Sequence, residues 1–172
     1  MNKYQEIIDI SYALAESAHK GQYRKSGEPY FNHCKRVSDN IVGYLMEKVA
    51  ILPKIANLGV DEILAIFQIV SINHDHLEDN PDHYHKYFLP FLWSGRDISA
   101  ENYVIFHFVK EAIEAISKKP KGEELYSGYV KRVKDNYFAK ITKLADLQDN
   151  LSDLAPGNLR DKYELTKWVL EN

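Results

Sequence analysis

The chain has 172 residues, 45% of them hydrophobic and 27% charged, which is the size and composition of one globular domain with a hydrophobic core. A formal net charge of −3 disfavours non-specific binding to nucleic acid, and the only cysteine, Cys34, cannot form an internal disulfide. No apolar run reaches the ~18 residues of a membrane span, and the N-terminus lacks the pattern of a signal peptide. We therefore expect a cytoplasmic protein without a nucleic-acid or membrane partner, and no pattern predicts its oligomeric state.

The first half of the chain predicts helices separated by polar loops. Apolar residues recur at helical spacing over residues 4–18, and a second helix is expected from about residue 30 to 48. Residues 21–29 between them are polar and include the helix breakers Gly21 and Pro29. This segment is therefore predicted to be a loop that leads directly into the second helix.

A third helix, from about residue 61 to 79, is apolar nearly all round, which is typical of the centre of a bundle. It is expected to end before Pro81, because the residue preceding a proline disfavours the helical conformation. Its last turns carry His74, Asp75, Glu78 and Asp79. On one helix these positions lie along one side, where the negative end of the helix dipole adds to the repulsion among three acids. A bound cation would relieve both effects.

The second half continues the helical pattern. A segment rich in histidine and aromatic residues, 82–88, leads to a predicted turn at 94–97. Further helices are expected over residues 99–117, 123–135, 137–153 and 159–170. No segment alternates as a strand would. The sequence predicts an all-α fold, a single-domain helical bundle over residues 1–172, with a metal site between its central helices.

Two distant segments supply partners for the acid-rich motif. The predicted metal ligands are His33, His74, Asp75 and Asp146. Imidazole and carboxylate together suit a divalent ion such as Mn²⁺, Fe²⁺ or Zn²⁺ and leave room for water or a phosphate oxygen. Glu78 and Asp79 are the candidate catalytic residues, since they lie one turn on and could orient that water or take its proton. The competing interpretation is that His74 and Asp75 only cap or hydrogen-bond within the bundle.

A second acid cluster surrounds the downstream ligand. Asn150 shares a helix face with Asp146, so its amide could reach a ligand beside the metal. Asp149 and Asp153 have similar helical spacing, but we expect them on a solvated helix face. Cys34 adjoins the predicted ligand His33, and burial as a small apolar residue is the favoured interpretation there.

The loop before the second helix is a candidate substrate-binding segment. Arg24, Lys25 and Ser26 offer two cations and a hydroxyl, and arginine can clamp a phosphate with two hydrogen bonds or stack on a base. The competing interpretation is a solvated basic loop. Proximity in sequence to the predicted ligand His33 favours the binding role.

The remaining histidines are not expected to be ligands. Alternate residues of a helix point away from each other, so pairs such as 74/76 and 83/85 do not form a chelating pair. Surface positions, or supporting roles beside the ligands, are expected for His76, His83 and His85. His19 and His107 are expected to be ordinary helix residues.

Three stretches together resemble the hydrolase domains of the RelA/SpoT-type alarmone family: residues 18–33, residues 74–79 (HDHLED) and residues 129–136 running on to 143–150. The resemblance implies an HD-type metal-dependent phosphohydrolase, with Mn²⁺ held by the four ligands named above. It implies that Glu78 and Asp79 activate the attacking water, and that the nucleotide contacts Arg24, Lys25, Ser26 and Asn150. The chain departs from the family at Cys34, where proline is common, and in residues 80–102, which are longer and more aromatic.

The leading hypothesis is therefore hydrolysis of a phosphorylated nucleotide, with removal of the 3′-pyrophosphate from guanosine tetra- or pentaphosphate as the reaction that the resemblance implies. The length of the chain leaves no room for a synthetase domain beside the hydrolase domain. The alternatives are a nucleotidase or phosphodiesterase of the wider HD group and a non-catalytic module that senses nucleotide. A further role is compatible with the leading hypothesis: the hydrolase would neutralise a toxic alarmone-producing partner by destroying the product of that partner.

Overall fold

The computed structural model describes residues 3–48, 58–94 and 100–172. The helices are α1 (Gln5–Ala18), α2 (Tyr30–Lys48), α3 (Val60–Ile72), α4 (His76–Asp79), α5 (Pro81–His83), α6 (Leu89–Ser94), α7 (Ala100–Ile116), α8 (Tyr126–Asp135), α9 (Tyr137–Asp153) and α10 (Asn158–Glu171). A π-helical turn, Tyr84–Phe88, joins α5 to α6. Within the described ranges the β structure amounts to an isolated bridge between Tyr23 and Pro29. The predicted all-α, single-domain bundle is confirmed. The predicted turn at 94–97 lies, apart from its first residue, outside the described residues.

Helix α3 is the centre of the bundle and packs against α1, α2, α7 and α9. Its side chains are buried on several faces, including Phe67, Ile69 and Ile72, all fully inaccessible. Burial of apolar surface, at about 25 cal/mol per Å², is the main force that holds such a helix inside. The predicted central helix is confirmed, and its C-terminal end comes to lie between α2 and α9.

Helix α3 ends earlier than predicted, so the expected continuous helix to residue 79 is wrong. The side chain of Asn73 donates to the carbonyl of Ile69 at 3.0 Å and to the hydroxyl of Ser11 at 2.7 Å. His74 donates from Nδ1 to the carbonyl of Ser71 at 2.8 Å. These side chains take up carbonyls that further helical turns would need, and the chain turns before restarting as the short α4. His74 and Asp75 therefore lie in a turn.

Helices α2 and α9 have the predicted bounds, and α9 begins with a side-chain cap. The Asn136 side chain accepts a hydrogen bond from the backbone N–H of Ala139 at 3.0 Å, which satisfies one of the free donors at a helix start. The aromatic segment that follows Pro81 is helical too, with Tyr84 and Phe88 buried against the core. Among residues 3–48, 58–94 and 100–172, no helix has both the length and the apolar character needed to span a membrane.

The loop between α1 and α2 folds back on itself and faces α9. The backbone N–H of Arg24 donates to the carbonyl of Glu28 at 2.8 Å, and that of Gly27 donates to the carbonyl of Arg24 at 2.9 Å. Gly27 has φ of 85°, a conformation that costs other residues energy. This tight turn sets Arg24 within hydrogen-bonding distance of three α9 side chains.

Candidate metal centre

The predicted ligands from three parts of the chain meet at one point. His33 comes from the first turn of α2, His74 and Asp75 from the turn after α3, and Asp146 from the middle of α9. One ligand atom from each lies within 4.8 Å of every other. His33, His74 and Asp146 are buried, and Asp75 is partly accessible. The group has the ligand types and the spacing of a site that could hold a divalent metal ion.

The two imidazoles are oriented so that their Nε2 atoms face the centre. Nδ1 of His33 lies 2.6 Å from Oδ2 of Asp149, and Nδ1 of His74 lies 2.8 Å from the carbonyl of Ser71. Both partners are acceptors, so Nδ1 carries a proton in each ring, and in the neutral form of the ring Nε2 has a free lone pair. Nε2 of His74 is buried without an aligned hydrogen bond, although it lies 2.9 Å from Oδ2 of Asp75. An orphaned lone pair facing carboxylates fits a metal ligand.

The centre has an electrostatic demand for positive charge. Burial alone would lower the pKa of His33, but hydrogen bonds with Asp146 and Asp75 outweigh it and raise the pKa to about 9. The pKa of His74 is also raised, since Asp75 and Asp146 overcome the effect of burial. Extra protons on these rings are thus the alternative to a metal ion, and a divalent ion would displace them. The residues present therefore fit a metal cation.

Neighbouring side chains orient the two carboxylates. Nζ of Lys143 lies 2.6 Å from Oδ2 of Asp146, and the Asn150 amide donates to Oδ1 of the same carboxylate at 2.6 Å. The hydroxyl of Tyr30 donates to Oδ2 of Asp75 at 2.7 Å. Burial and the nearby Asp75 raise the Tyr30 pKa, which keeps this hydroxyl protonated. Lys143 is not among the residues that the sequence predicts at the site, although it lies one helical turn before Asp146.

Asp149 is buried, which makes the expectation of a solvated position wrong. It is 7% exposed, because α9 turns this residue towards α2. Its carboxylate contacts His33, Arg24 and Arg36. Burial would raise the pKa of Asp149, but the hydrogen bonds from Arg36 and His33 outweigh it and hold the pKa below its usual range. Asp153, with a side chain 53% exposed, matches the expected solvated position.

Arg36 is a second residue at the site that the sequence does not predict. Its Nε donates to Oδ1 of Asp149 at 2.7 Å, and its Nη1 donates to Oε1 of Glu28 at 2.5 Å. Arg36 lies three residues after His33, so both side chains share one face of α2. That spacing was the only signal in the sequence, and it identifies no partner on another helix.

Glu78 and Asp79, the candidate catalytic acids, have different surroundings. Glu78 is held by Lys118, with Oε1 2.7 Å from Nζ and Oε2 3.1 Å from the backbone nitrogen. Asp79 adjoins the centre, and its backbone N–H donates to the carbonyl of Asp75 at 2.8 Å. Burial first, and then the charges of Asp75 and Glu78, raise the pKa of Asp79 to about 6. Asp79 therefore has the protonation behaviour of a group that exchanges protons near neutral pH.

The predicted substrate-binding residues line one cavity of about 410 Å³. They are Arg24, Lys25, Ser26 and Asn150, together with Tyr30. Tyr30 and Asn150 also hydrogen-bond to metal-ligand candidates, so this cavity adjoins the centre. The side chain of Arg24 is only 12% exposed, which disagrees with the alternative of a freely solvated basic loop.

A larger groove of about 1310 Å³ is lined by residues of α4, α7 and α8 and contains none of the four ligands. Glu78 and His85 line it, together with lysines of the α7–α8 connection such as Lys118 and Lys121. Its contact with the candidate site is through Glu78, whose carboxylate is paired with Lys118. The smaller cavity is therefore the one that the metal-ligand network joins directly.

The other histidines partly follow the expectations. His85 and His107 are exposed, as expected for surface or ordinary helix positions. His76 is fully buried and contacts Asn73 and His83. Burial, followed by His83 and His19, lowers the pKa of His76 to about 3, which keeps the ring neutral. Cys34 is buried, as expected.

The expectation that His19 is an ordinary helix residue is wrong. It follows the end of α1, is 2% exposed, and stacks on the ring of Tyr30 at a centroid distance of 5.0 Å. Its Nδ1 donates to Oε1 of Gln22 at 2.7 Å. His19 therefore packs against Tyr30 and lies close enough to Asp75, His74 and His33 for their charges to act on it.

Comparisons with known proteins do not assign the chain to a family. No family model matches it, and no curated protein matches it. The resemblance to alarmone hydrolase domains thus rests on the three stretches quoted above. The geometry of the centre is an independent observation that bears on the chemistry.

Proposed function

We propose that this chain is a metal-dependent phosphohydrolase of a phosphorylated nucleotide. The observation that carries the proposal is the convergence of His33, His74, Asp75 and Asp146, with both imidazole Nε2 lone pairs turned towards the carboxylates. With a metal ion bound, both rings would be neutral and their Nε2 lone pairs would be ligands, and Nε2 of His74 is already buried without an aligned hydrogen bond. Mn²⁺ is the proposed ion, because the donor set mixes nitrogen and oxygen and the resembling family uses it.

When bound, a divalent ion would polarise a phosphoryl group and lower the pKa of water. The protein's own residues supply the remaining steps. Asp79, with a pKa of about 6, is the proposed acceptor for the proton of the attacking water. Glu78 is fixed by Lys118 and is proposed to orient that water rather than to take its proton. Water oxygen bonds to phosphorus as the phosphorus–oxygen bond to the leaving group breaks.

The cavity beside the centre supports a nucleotide as the substrate. Arg24 and Lys25 supply positive charge for phosphates, and Ser26 supplies a hydroxyl. Tyr30 and Tyr163 offer aromatic faces for a base in the same cavity. Together with the resemblance, this arrangement favours guanosine 3′,5′-bis(diphosphate), with release of pyrophosphate and a free 3′-hydroxyl left on GDP.

The deciding experiment is a nucleotide panel assayed with and without Mn²⁺. The panel contains guanosine tetra- and pentaphosphate, nucleoside mono-, di- and triphosphates, and cyclic dinucleotides, with phosphate and pyrophosphate measured separately. We expect pyrophosphate release from the guanosine tetra- and pentaphosphates, abolished by a chelator and restored by Mn²⁺. Preferential release of phosphate, or cleavage of a diester, would identify the nucleotidase or phosphodiesterase alternative. Binding without turnover would identify a sensing module.

A further inference from the structure

Asp149 is the residue where the nucleotide cavity and the metal centre meet, although the resemblance assigns it no role. Oδ2 accepts from Nδ1 of His33 at 2.6 Å and from Nη1 of Arg24 at 3.0 Å. Arg36 donates to Oδ1 from Nε at 2.7 Å and to Oδ2 from Nη2 at 3.2 Å. One buried carboxylate thus accepts hydrogen bonds from a metal-ligand candidate and from two guanidinium groups.

The position of this carboxylate determines what His33 can do. The Nδ1–H bond to Asp149 fixes the tautomer and the plane of the ring, and so directs Nε2 at Oδ1 of Asp146, 3.2 Å away. A carboxylate that accepts the far N–H of a metal-bound histidine also makes the ring more basic, and losing such a partner typically weakens metal affinity about 10- to 100-fold.

The same carboxylate is in contact with the proposed substrate pocket. Arg24 lines the cavity and gives one guanidinium nitrogen to Asp149. Its Nη2 donates to Oδ1 of Asn150 at 3.2 Å, and the Asn150 amide donates to Asp146. A phosphate that binds Arg24 therefore competes with Asp149 for the guanidinium group. When phosphate draws Arg24 away, less of the negative charge of Asp149 is neutralised. The carboxylate then accepts a stronger hydrogen bond from Nδ1 of His33.

We propose that Asp149 is a positioning residue that aligns His33 for the metal ion. The same residue couples the two binding sites, so that nucleotide binding at Arg24 raises the affinity for the metal ion. The proposal rests on the proposed function for the identity of the nucleotide. Because coupling between two binding equilibria is reciprocal, bound metal raises nucleotide affinity by the same factor. We expect a factor of about 5 or more, within the usual range of about 5 to 150.

The test measures the dissociation constant of Mn²⁺ by the electron paramagnetic resonance signal of the free ion, with and without saturating GDP, and a protein-free titration subtracts the Mn²⁺ that GDP binds by itself. For Asp149→Asn we expect Mn²⁺ binding about 10-fold weaker or more without GDP, and a smaller response to GDP. Asp153→Asn is the matched control: it removes a carboxylate that also contacts Arg24 but has no hydrogen bond to His33, and it should keep Mn²⁺ affinity within about twofold of native.

A second variant tests the sign of the coupling and does not depend on removing Asp149. Arg24→Gln frees Asp149 from one guanidinium, so Mn²⁺ affinity without nucleotide should rise a few-fold. Lys25→Gln also removes one positive charge from the cavity, but Lys25 is not the guanidinium partner of Asp149, so Mn²⁺ affinity should rise less. Circular dichroism of each metal-free variant checks that the fold is retained.

The outcomes separate this inference from the proposed function. Native Mn²⁺ affinity in Asp149→Asn, an unchanged GDP response in that variant, or a native protein whose Mn²⁺ affinity ignores GDP would each overturn the inference, even if hydrolysis is observed. If Asp149→Asn does not fold, weaker Mn²⁺ binding in Arg24→Gln overturns it instead. Conversely, an absence of hydrolysis combined with the expected Mn²⁺ shifts would remove the proposed reaction and leave the role of Asp149 intact.

Discussion

The acidic segments 74–79 and 146–153 have similar sequence spacing but different electrostatic surroundings. On α9, Asp146 is paired with Lys143 and Asp149 with two arginines, so these charges are fixed in place. In the turn before α4 and on α4 itself, burial and neighbouring carboxylates raise the pKa of Asp79 to about 6. The difference indicates that ion pairs hold the charges of α9 in place, whereas the α4 segment supplies one carboxyl group, Asp79, that can gain and lose a proton.

The largest expected effects come from removing ligand carboxylates. Asp75→Asn should abolish Mn²⁺ binding and reduce hydrolysis to background, because a neutral amide replaces the negatively charged ligand carboxylate. Asp146→Asn should do the same and in addition leave the buried Lys143 unpaired, which costs about 3–5 kcal/mol of unfolding free energy. Mn²⁺ titration and urea unfolding of the metal-free proteins measure the two effects.

The rescue variant makes the stability part of this prediction specific. Adding Lys143→Met to Asp146→Asn removes the unpaired charge and should recover at least half of the lost stability, without recovering Mn²⁺ binding. An Asp146→Asn protein as stable as native would show that the α9 ion pair does not hold its charges as described.

The next largest effect separates the two acids of α4. Asp79→Asn should lower kcat about 10²- to 10⁴-fold, the usual contribution of a general base, while Mn²⁺ affinity stays within a few-fold of native. Glu78→Gln should lower kcat less, because Glu78 is already paired with Lys118. Single-turnover rates and Mn²⁺ titrations of both variants give the comparison. A larger loss in Glu78→Gln would reverse the assigned roles.

A smaller effect is expected at the substrate cavity. Arg24→Ala removes a charge-assisted hydrogen bond to phosphate, worth about 1.5–3 kcal/mol, and should raise KM about 10- to 100-fold with little change in kcat. Steady-state kinetics with Mn²⁺ at saturation measure both constants. An unchanged KM in Arg24→Ala would place the phosphates elsewhere.

The smallest expected effect tests whether the α9 cap contributes to the site. Asn136→Ala removes the hydrogen bond to Ala139 and should lower the free energy of unfolding by about 1 kcal/mol. Mn²⁺ affinity should not change, because packing and ion pairs hold the middle of α9. Asn136→Ser keeps a capping oxygen and should remain close to native. Weaker Mn²⁺ binding in the alanine variant would mean that the α9 ligand depends on its distant end.

Periodicity was sufficient to predict most of the helices, including the bounds of α2 and α9 and the buried character of α3. It missed the end of α3, because Asn73 and His74 are compatible with a helix and end this one only through side-chain hydrogen bonds. The pairing of Asp149 with Arg36 could not be read from the sequence, since it depends on how α9 docks on α2. Ligand types in separate motifs suggested the metal centre, but the tautomers of His33 and His74 required the structure.

The ammonium group of Lys143 affects more than the orientation of Asp146. Two ligand carboxylates carry the same amount of charge as a divalent ion, so a loaded centre of these groups alone would be neutral. The ammonium group 2.6 Å from Oδ2 of Asp146 adds one positive charge, which offsets the negative charge of an ionised Asp79 beside the centre. Lys143 therefore keeps a loaded centre from repelling a polyanion, while Arg24 and Lys25 in the adjoining cavity favour a phosphate group over a neutral compound of the same shape.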